Sequence, residues 1–168
     1  FLGLVLKRAD FIRVMNRSVR DYLIKKGVDE RKIKIVSAIY LDTNIFSVRG
    51  QVKKFDIVFS SRLARNKGVD LLLESTKLIS QIKPNLRLLI IGDGPEKKYM
   101  ESKVNILGIG NNVFFAGWVR DSEKVAELLN QSEIFIMPSY NEGGPRVLVE
   151  AMACGLAIIS TKVGLAPE

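Results

Sequence analysis

From residue 55 onward, short apolar runs alternate with stretches whose apolar positions recur every three or four residues. The runs at 55–59, 86–91, 113–116, 134–137 and 157–160 have the length of strands; those at about 68–82, 96–107, 122–130 and 145–154 carry the helical period. Consecutive parallel strands need crossover connections, usually helical, so this alternation predicts a parallel sheet. Five strands with four crossovers predict an α/β fold, a Rossmann-like doubly wound parallel sheet. Such a sheet commonly has a sixth strand, and this one is therefore expected to be incomplete at its C-terminal end.

The first 54 residues are patterned differently. Residues 11–14 form an apolar run bounded by charge, and a helical stretch follows at 18–26, with Ser18 and Asp21 spaced as a capping box and Gly27 where a helix ends. Residues 32–36 alternate as a strand, whereas 37–54 show no sustained period and read as a linker, in which the domain boundary is placed.

Composition narrows the class. A chain of 168 residues with 47% hydrophobic and 26% charged residues suits one substantial core plus a remnant of another domain. No apolar run approaches the roughly 18 residues that span a bilayer, and residues 1–10 have neither a Met nor a signal-peptide pattern, so the chain is expected to be a piece of a longer one. With Cys154 as the single cysteine and no histidine, an internal disulfide is excluded and a zinc site has almost no material. Cys154 reads as a small core residue, and a reducing, cytoplasmic setting fits. The net charge of +8 is localised: residues 1–54 hold 13 Lys+Arg against 5 Asp+Glu, and residues 55–168 hold 13 of each. A basic third of this kind suits an anionic partner or membrane face, or is a solvated surface made lopsided by truncation.

Open parallel sheets bind ligands at the carboxyl ends of their strands, so the loops there are where chemistry is sought. The loop after the first strand of the sheet carries Arg62 and Lys67 into a helix N-terminus, an arrangement suited to a diphosphate. The second strand ends in Gly92-Asp93-Gly94-Pro95, which any strand-to-helix turn could use. After the fourth strand, Gly143 and Gly144 bring bare backbone N–H groups to the start of a helix, an anion site that needs no side chain. Glu142 precedes that turn and Glu150 lies eight residues on, inside an otherwise apolar helix where a carboxylate needs a partner. Carboxylates accept hydrogen bonds from hydroxyl groups, so two of them flanking a phosphate site describe a phosphorylated polyol such as a nucleotide sugar. Singly, Glu142 could cap the helix and Glu150 could be an exposed helical carboxylate. Trp118 could wall a base pocket or pack in the core.

The segment 142–155, EGGPRVLVEAMACG, with its two glutamates separated by seven residues, resembles the group 1 retaining glycosyltransferases of the GT-B fold, glycosyltransferase family 4. Ser61-Arg62-Leu63 with Lys67-Gly68, Ile91-Gly92-Asp93-Gly94-Pro95, Phe115-Ala116-Gly117-Trp118-Val119, Met137-Pro138-Ser139 and the stretch from Gly164 to Pro167-Glu168 stand in that family's order. The resemblance covers residues 55–168 and implies a nucleotide-sugar-binding domain there, a linker at 42–54, and a strand-helix-strand remnant of an acceptor-binding domain at 1–41. It implies Arg62 and Lys67 on the diphosphate, Glu142 on the donor sugar and Glu150 on the ribose. The backbone of Gly143, Gly144, Pro145, Arg146 and Val147 would surround sugar and phosphate, with the base near Gly117, Trp118 and Val119. Catalytic roles would fall to Glu142, Arg62 and Lys67, with no metal and no cofactor; the donor would be a UDP-, GDP- or ADP-sugar. The family's catalytic histidine and glycine-rich acceptor loop would belong to the half not represented, leaving the fragment alone inactive.

Two departures from the pattern stand out: Ala157 replaces a common proline, and in Ala38-Ile39-Tyr40-Leu41-Asp42, followed by Phe46, only Asp42 and Phe46 match well. The implied partners are a nucleotide sugar and a glycan or lipid-linked acceptor of polysaccharide, lipopolysaccharide or glycolipid synthesis, with peripheral association at the inner membrane face and no nucleic acid. The alternatives are a nucleotide-sugar epimerase of the same fold and a non-catalytic nucleotide-sugar-binding subunit.

Overall fold

The computed structural model describes residues 2–36, 40–164 and 166–167. Ser37, Ala38, Ile39 and Glu168, which figure in the linker and motif expectations, lie outside the described residues.

The chain begins with helix α1 (Leu2–Arg8), strand β1 (Ile12–Val14), helix α2 (Arg17–Lys25) and strand β2 (Ile33–Ile35). β1 and β2 pair in parallel across α2. Helix α1 was not expected. α2 starts one residue before the predicted stretch because its cap is Asn16, whose side-chain oxygen accepts from the Val19 N–H at 2.9 Å, and not the Ser18–Asp21 box. Gly27 does end the helix, in the left-handed region at φ 84°, with its N–H bonded to the Ile24 carbonyl at 2.9 Å. Lys32, expected to open β2, instead closes a single 3₁₀ turn, Glu30–Lys32.

The larger unit comprises β3 (Phe55–Ser60), α3 (Val69–Ile82), β4 (Leu88–Ile91), α4 (Lys97–Leu107), β5 (Val113–Gly117), α5 (Ser122–Asn130), β6 (Ser132–Met137), α6 (Arg146–Ala153) and β7 (Ala157–Ser160). Its strands are all parallel in the order β5-β4-β3-β6-β7, so the doubly wound sheet expected from the alternation is present. Both faces are covered, which is why its central strands read as continuous apolar runs. Ile57, Phe59, Leu88 and Ile90 pack under Leu72, Leu73 and Met100 of α3 and α4. Val58, Leu89, Phe135 and Met137 pack under Ala126, Leu129, Leu148 and Ala151 of α5 and α6.

The segment before β3 packs on this unit. Phe46 is buried in the second cluster, with Leu41 and Ile45 against it. Arg49 pairs with Glu123 at 2.7 Å, and the Asn130 amide accepts from the Arg49 N–H at 2.8 Å and donates to the Ser47 carbonyl at 3.0 Å. Cys154 is buried in the same cluster, and that burial pushes its thiol pKa up, as befits a core residue and not a nucleophile.

Candidate functional site

β3 and β6 lie side by side where the strand order reverses. The chain leaving β3 turns to α3 on one face of the sheet, and that leaving β6 turns to α6 on the other. Divergence of two such loops opens a crevice beyond the strand ends, the usual ligand site of this architecture.

The β3 loop is fixed by backbone bonds from Ser61 N–H to the Ile91 carbonyl at 3.1 Å and from Leu63 N–H to the Asp93 carbonyl at 2.9 Å. Leu63 is fully buried between them, and Arg62 is exposed and makes no ion pair among the described residues. A 3₁₀ turn, Arg65–Lys67, then delivers Lys67 to the crevice. Its Nζ lies 2.6 Å from Glu142 Oε1, and the buried Ser139 hydroxyl donates to the same oxygen at 2.8 Å. The two ionised side chains are 18% and 12% exposed, so two residues distant in sequence form one shielded ion pair at the switch point. Among the described residues only Oε1 of Glu142 takes a hydrogen bond, which leaves Oε2 able to accept from a ligand hydroxyl.

Glu142 does not cap α6. The N-cap is Pro145, whose side chain cannot accept, so the N–H groups of Arg146 and Val147 have no capping side chain and the helix start keeps its partial positive charge. A Cβ placed on Gly143 would meet nothing within 4 Å, so the loop backbone faces open space there. From behind, a Cβ on Gly164 would come within 2.7 Å of the Glu142 and Gly143 carbonyls, so only glycine lets that chain pass. The Gly143 carbonyl also accepts from the Asn16 amide at 3.1 Å, while the same Asn16 caps α2.

On the other side of Arg62, a cleft of about 210 Å³ is lined by Arg62, Gly92, Trp118, Val119, Val147 and Glu150. Trp118 is 71% exposed and thus a wall of the cleft, not a core residue. Gly117, which ends β5 just before it, accepts from the Gly92 N–H at 2.7 Å. Glu150 is 8% exposed, and its partner is Arg146 one turn earlier, Nε to Oε1 at 2.8 Å. The predicted residues therefore fall into two adjoining groups, Lys67 with Glu142 and Arg62 with Trp118, Val119 and Glu150. Sequence reasoning missed Ser139 as the Glu142 partner and Asn16 as the clamp on Gly143. Ser139 was at least within a motif, whereas nothing near Asn16 points across the fold. Among the described residues no cluster of three or more His, Cys, Asp or Glu side chains is placed to hold a metal ion.

Burial raises the Glu150 carboxyl above its ordinary pKa, against the opposing pull of Arg146. The folded state therefore holds that proton more tightly than the unfolded chain. The stability this contributes is complete below the unfolded pKa and is lost as pH rises through the raised folded value. Relative to the parent, Glu150→Gln should gain unfolding free energy as pH rises from the ordinary glutamate range through that raised value. Urea unfolding across that range checks this, and a pH-independent difference would contradict the assignment.

Residues 42–168 match the family model described as glycosyl transferases group 1. The chain is 32% identical over 160 residues to a phosphatidylinositol N-acetylglucosaminyltransferase subunit of Arabidopsis thaliana, covering 94% of this chain and 35% of that one. It is 40% identical over 112 residues to the phosphatidylinositol N-acetylglucosaminyltransferase gpi3 subunit of Schizosaccharomyces pombe, covering 67% of this chain and 24% of that one. Among solved structures, the pneumococcal O-GlcNAc transferase GtfA in complex with UDP and GlcNAc superposes with a TM-score of 0.82 at 22% identity, covering 97% of this chain and 33% of that one. The two-face sheet, the crevice at its switch point and the matched family model define the chain as a member of the group 1 glycosyltransferases, with the GT-B type of fold. It spans about a quarter to a third of the length of the two curated relatives.

Proposed function

We propose that this chain is the donor-binding part of a retaining glycosyltransferase, and that its crevice binds a nucleotide-diphosphate sugar. The observation that carries the reading is the Lys67–Glu142 pair at the switch point, bordered by the uncapped start of α6 on one side and the Trp118–Glu150 cleft on the other. A donor laid along it would set its base against Trp118 and Val119, its ribose hydroxyls on Glu150, its diphosphate on Arg62, Lys67 and the amides of Arg146 and Val147, and its sugar hydroxyls on Glu142. GtfA in complex with UDP and GlcNAc has this fold, which supports a UDP-sugar as the donor class.

In the transfer, the bond from the anomeric carbon to the diphosphate oxygen breaks and a bond to an acceptor oxygen forms on the same face. The acceptor proton passes to the departing diphosphate, whose growing charge Arg62, Lys67 and the helix start stabilise. The acceptor would be a glycan or a lipid-linked molecule, in keeping with the phosphatidylinositol named for the two relatives. Exposed Arg13, Arg17, Lys25, Lys26 and Lys34 in the first unit suit an anionic membrane face, and the reading places the enzyme in the cytoplasm, peripheral to the inner surface. No helix among the described residues is long and apolar enough to cross a membrane.

The test is proton NMR of full-length protein with an α-linked UDP-sugar and water as acceptor. Free sugar should first appear as the α anomer, before mutarotation; β sugar appearing first would overturn the retaining assignment.

A further inference from the structure

Next to the donor crevice lies a second hollow that none of the roles above uses. It is open, about 570 Å³, and lined by Arg65, Asn66, Asp70, Glu96, Tyr99 and Tyr140. That volume is within the roughly 300–1,000 Å³ of small-molecule sites. The lining has two exposed phenol rings, Tyr140 at 64% and Tyr99 at 45%, and no aliphatic side chain. The rest are groups that take part in planar, directional hydrogen bonds: an amide, two carboxylates and a guanidinium.

These groups are held by one another. The Tyr99 hydroxyl donates to Asp70 Oδ1 at 2.6 Å, and Lys103 pairs with Asp70 at 2.7 Å and with Glu74 at 2.9 Å. Arg65 stands 3.7 Å from Glu96. The hollow is joined to the donor crevice through backbone, the Tyr140 N–H bonding to the Asn66 carbonyl at 2.8 Å. Asn66 immediately precedes Lys67, and Tyr140 is two residues from Glu142.

The chemistry selects the occupant. The cations here already face carboxylates, Lys103 with Asp70 and Arg65 with Glu96, so a second phosphate finds no surplus positive charge, and the lack of aliphatic side chains gives an acyl chain or apolar peptide nothing to bury. A saccharide satisfies both parts: its C–H face lies on an aromatic ring, and its hydroxyls donate to carboxylates and accept from amide and guanidinium. We infer that this hollow is a saccharide subsite on the donor-binding domain, with Tyr140 as the stacking platform, holding a sugar unit of the acceptor beside the donor sugar. Its identification as an acceptor subsite rests on the donor-site reading, whereas its affinity for saccharide does not.

Saturation-transfer NMR of the full-length protein with maltose, cellobiose and N,N′-diacetylchitobiose, run beside a UDP titration of the same sample, tests it. At least one disaccharide should bind saturably in the millimolar range. Tyr140→Ala should weaken it about tenfold or more, a change equivalent to about 1.4 kcal/mol. Tyr140→Phe should restore it, and UDP affinity should stay within about twofold in both variants. Glu96→Gln, which leaves the ring in place, should weaken the sugar independently. No disaccharide binding by about 20 mM, or binding indifferent to both Tyr140→Ala and Glu96→Gln, would overturn the subsite whatever UDP does. Saccharide binding that follows Tyr140 in a protein that fails to bind UDP would uphold the saccharide site and sink the donor reading.

Discussion

Gly68→Ala is expected to lower the unfolding free energy by about 3 kcal/mol, a fall in Tm of about 10 °C for a chain of this size. Gly68 sits at φ 69°, in the left-handed region, between the 3₁₀ turn that carries Lys67 and the start of α3. A Cβ there would stand 2.0 Å from the Pro138 carbonyl oxygen and 2.8 Å from its carbon. Both are backbone atoms, so relief requires one loop to retreat from the other. The loop that retreats carries either Lys67 or Ser139 and Glu142, so the 2.6 Å ion pair opens with it. Gly108→Ala is the control, since Gly108 has a similar φ of 64° with nothing within 4 Å of the added Cβ. It should lose only the strain of the left-handed conformation, about 1 kcal/mol. Urea unfolding of the two variants separates clash from strain, and equal losses would show that the close approach of the two loops is not what fixes the site.

Much of this arrangement was legible in the sequence, for reasons specific to it. A strand buried on both faces writes itself as an unbroken apolar run, as Leu88–Ile91 does with all four residues buried, and α5 is legible at its observed bounds from the helical period. The N-terminal end of the chain was harder. Asn16 caps α2 from outside the helical period, and a three-residue strand such as β2 is too short for alternation to locate its ends. Residues 41–49 read as linker because Phe46, Leu41 and Ile45 have no regular spacing, yet tertiary contact buries Phe46 completely enough to make it part of the core.

At the site, the two glutamates were found through spacing, but their partners separate the local from the non-local. Arg146 to Glu150 is an i,i+4 pair, a signal present in the sequence and not used. Lys67 to Glu142 joins loops 75 positions apart, and only the topology of the sheet brings them together. The same holds for Tyr99 and Tyr140, which come from different crossovers and mean nothing until α4 and the β6 loop are placed side by side. Trp118 could not be assigned to core or cleft by residue type, because an indole serves either; its 71% exposure decides it.

The second large effect concerns the cations. Arg62→Ala with Lys67→Ala should weaken nucleotide diphosphate binding about 100-fold or more. Each hydrogen bond to a charged phosphate contributes about 1.5–3 kcal/mol, and two of them exceed the roughly 2.8 kcal/mol that corresponds to 100-fold. The fold should tolerate the change. Arg62 is exposed, and Glu142 keeps the Ser139 hydroxyl when Lys67 is removed.

Calorimetric titration of the parent and this double variant with UDP, GDP and ADP is the most direct test of the donor site. Saturable binding of one of the three by the parent is expected, about 100-fold weaker or lost in a folded double variant. A folded parent that binds none of them at millimolar concentration, or a double variant that binds as tightly as the parent, would contradict the donor-site assignment.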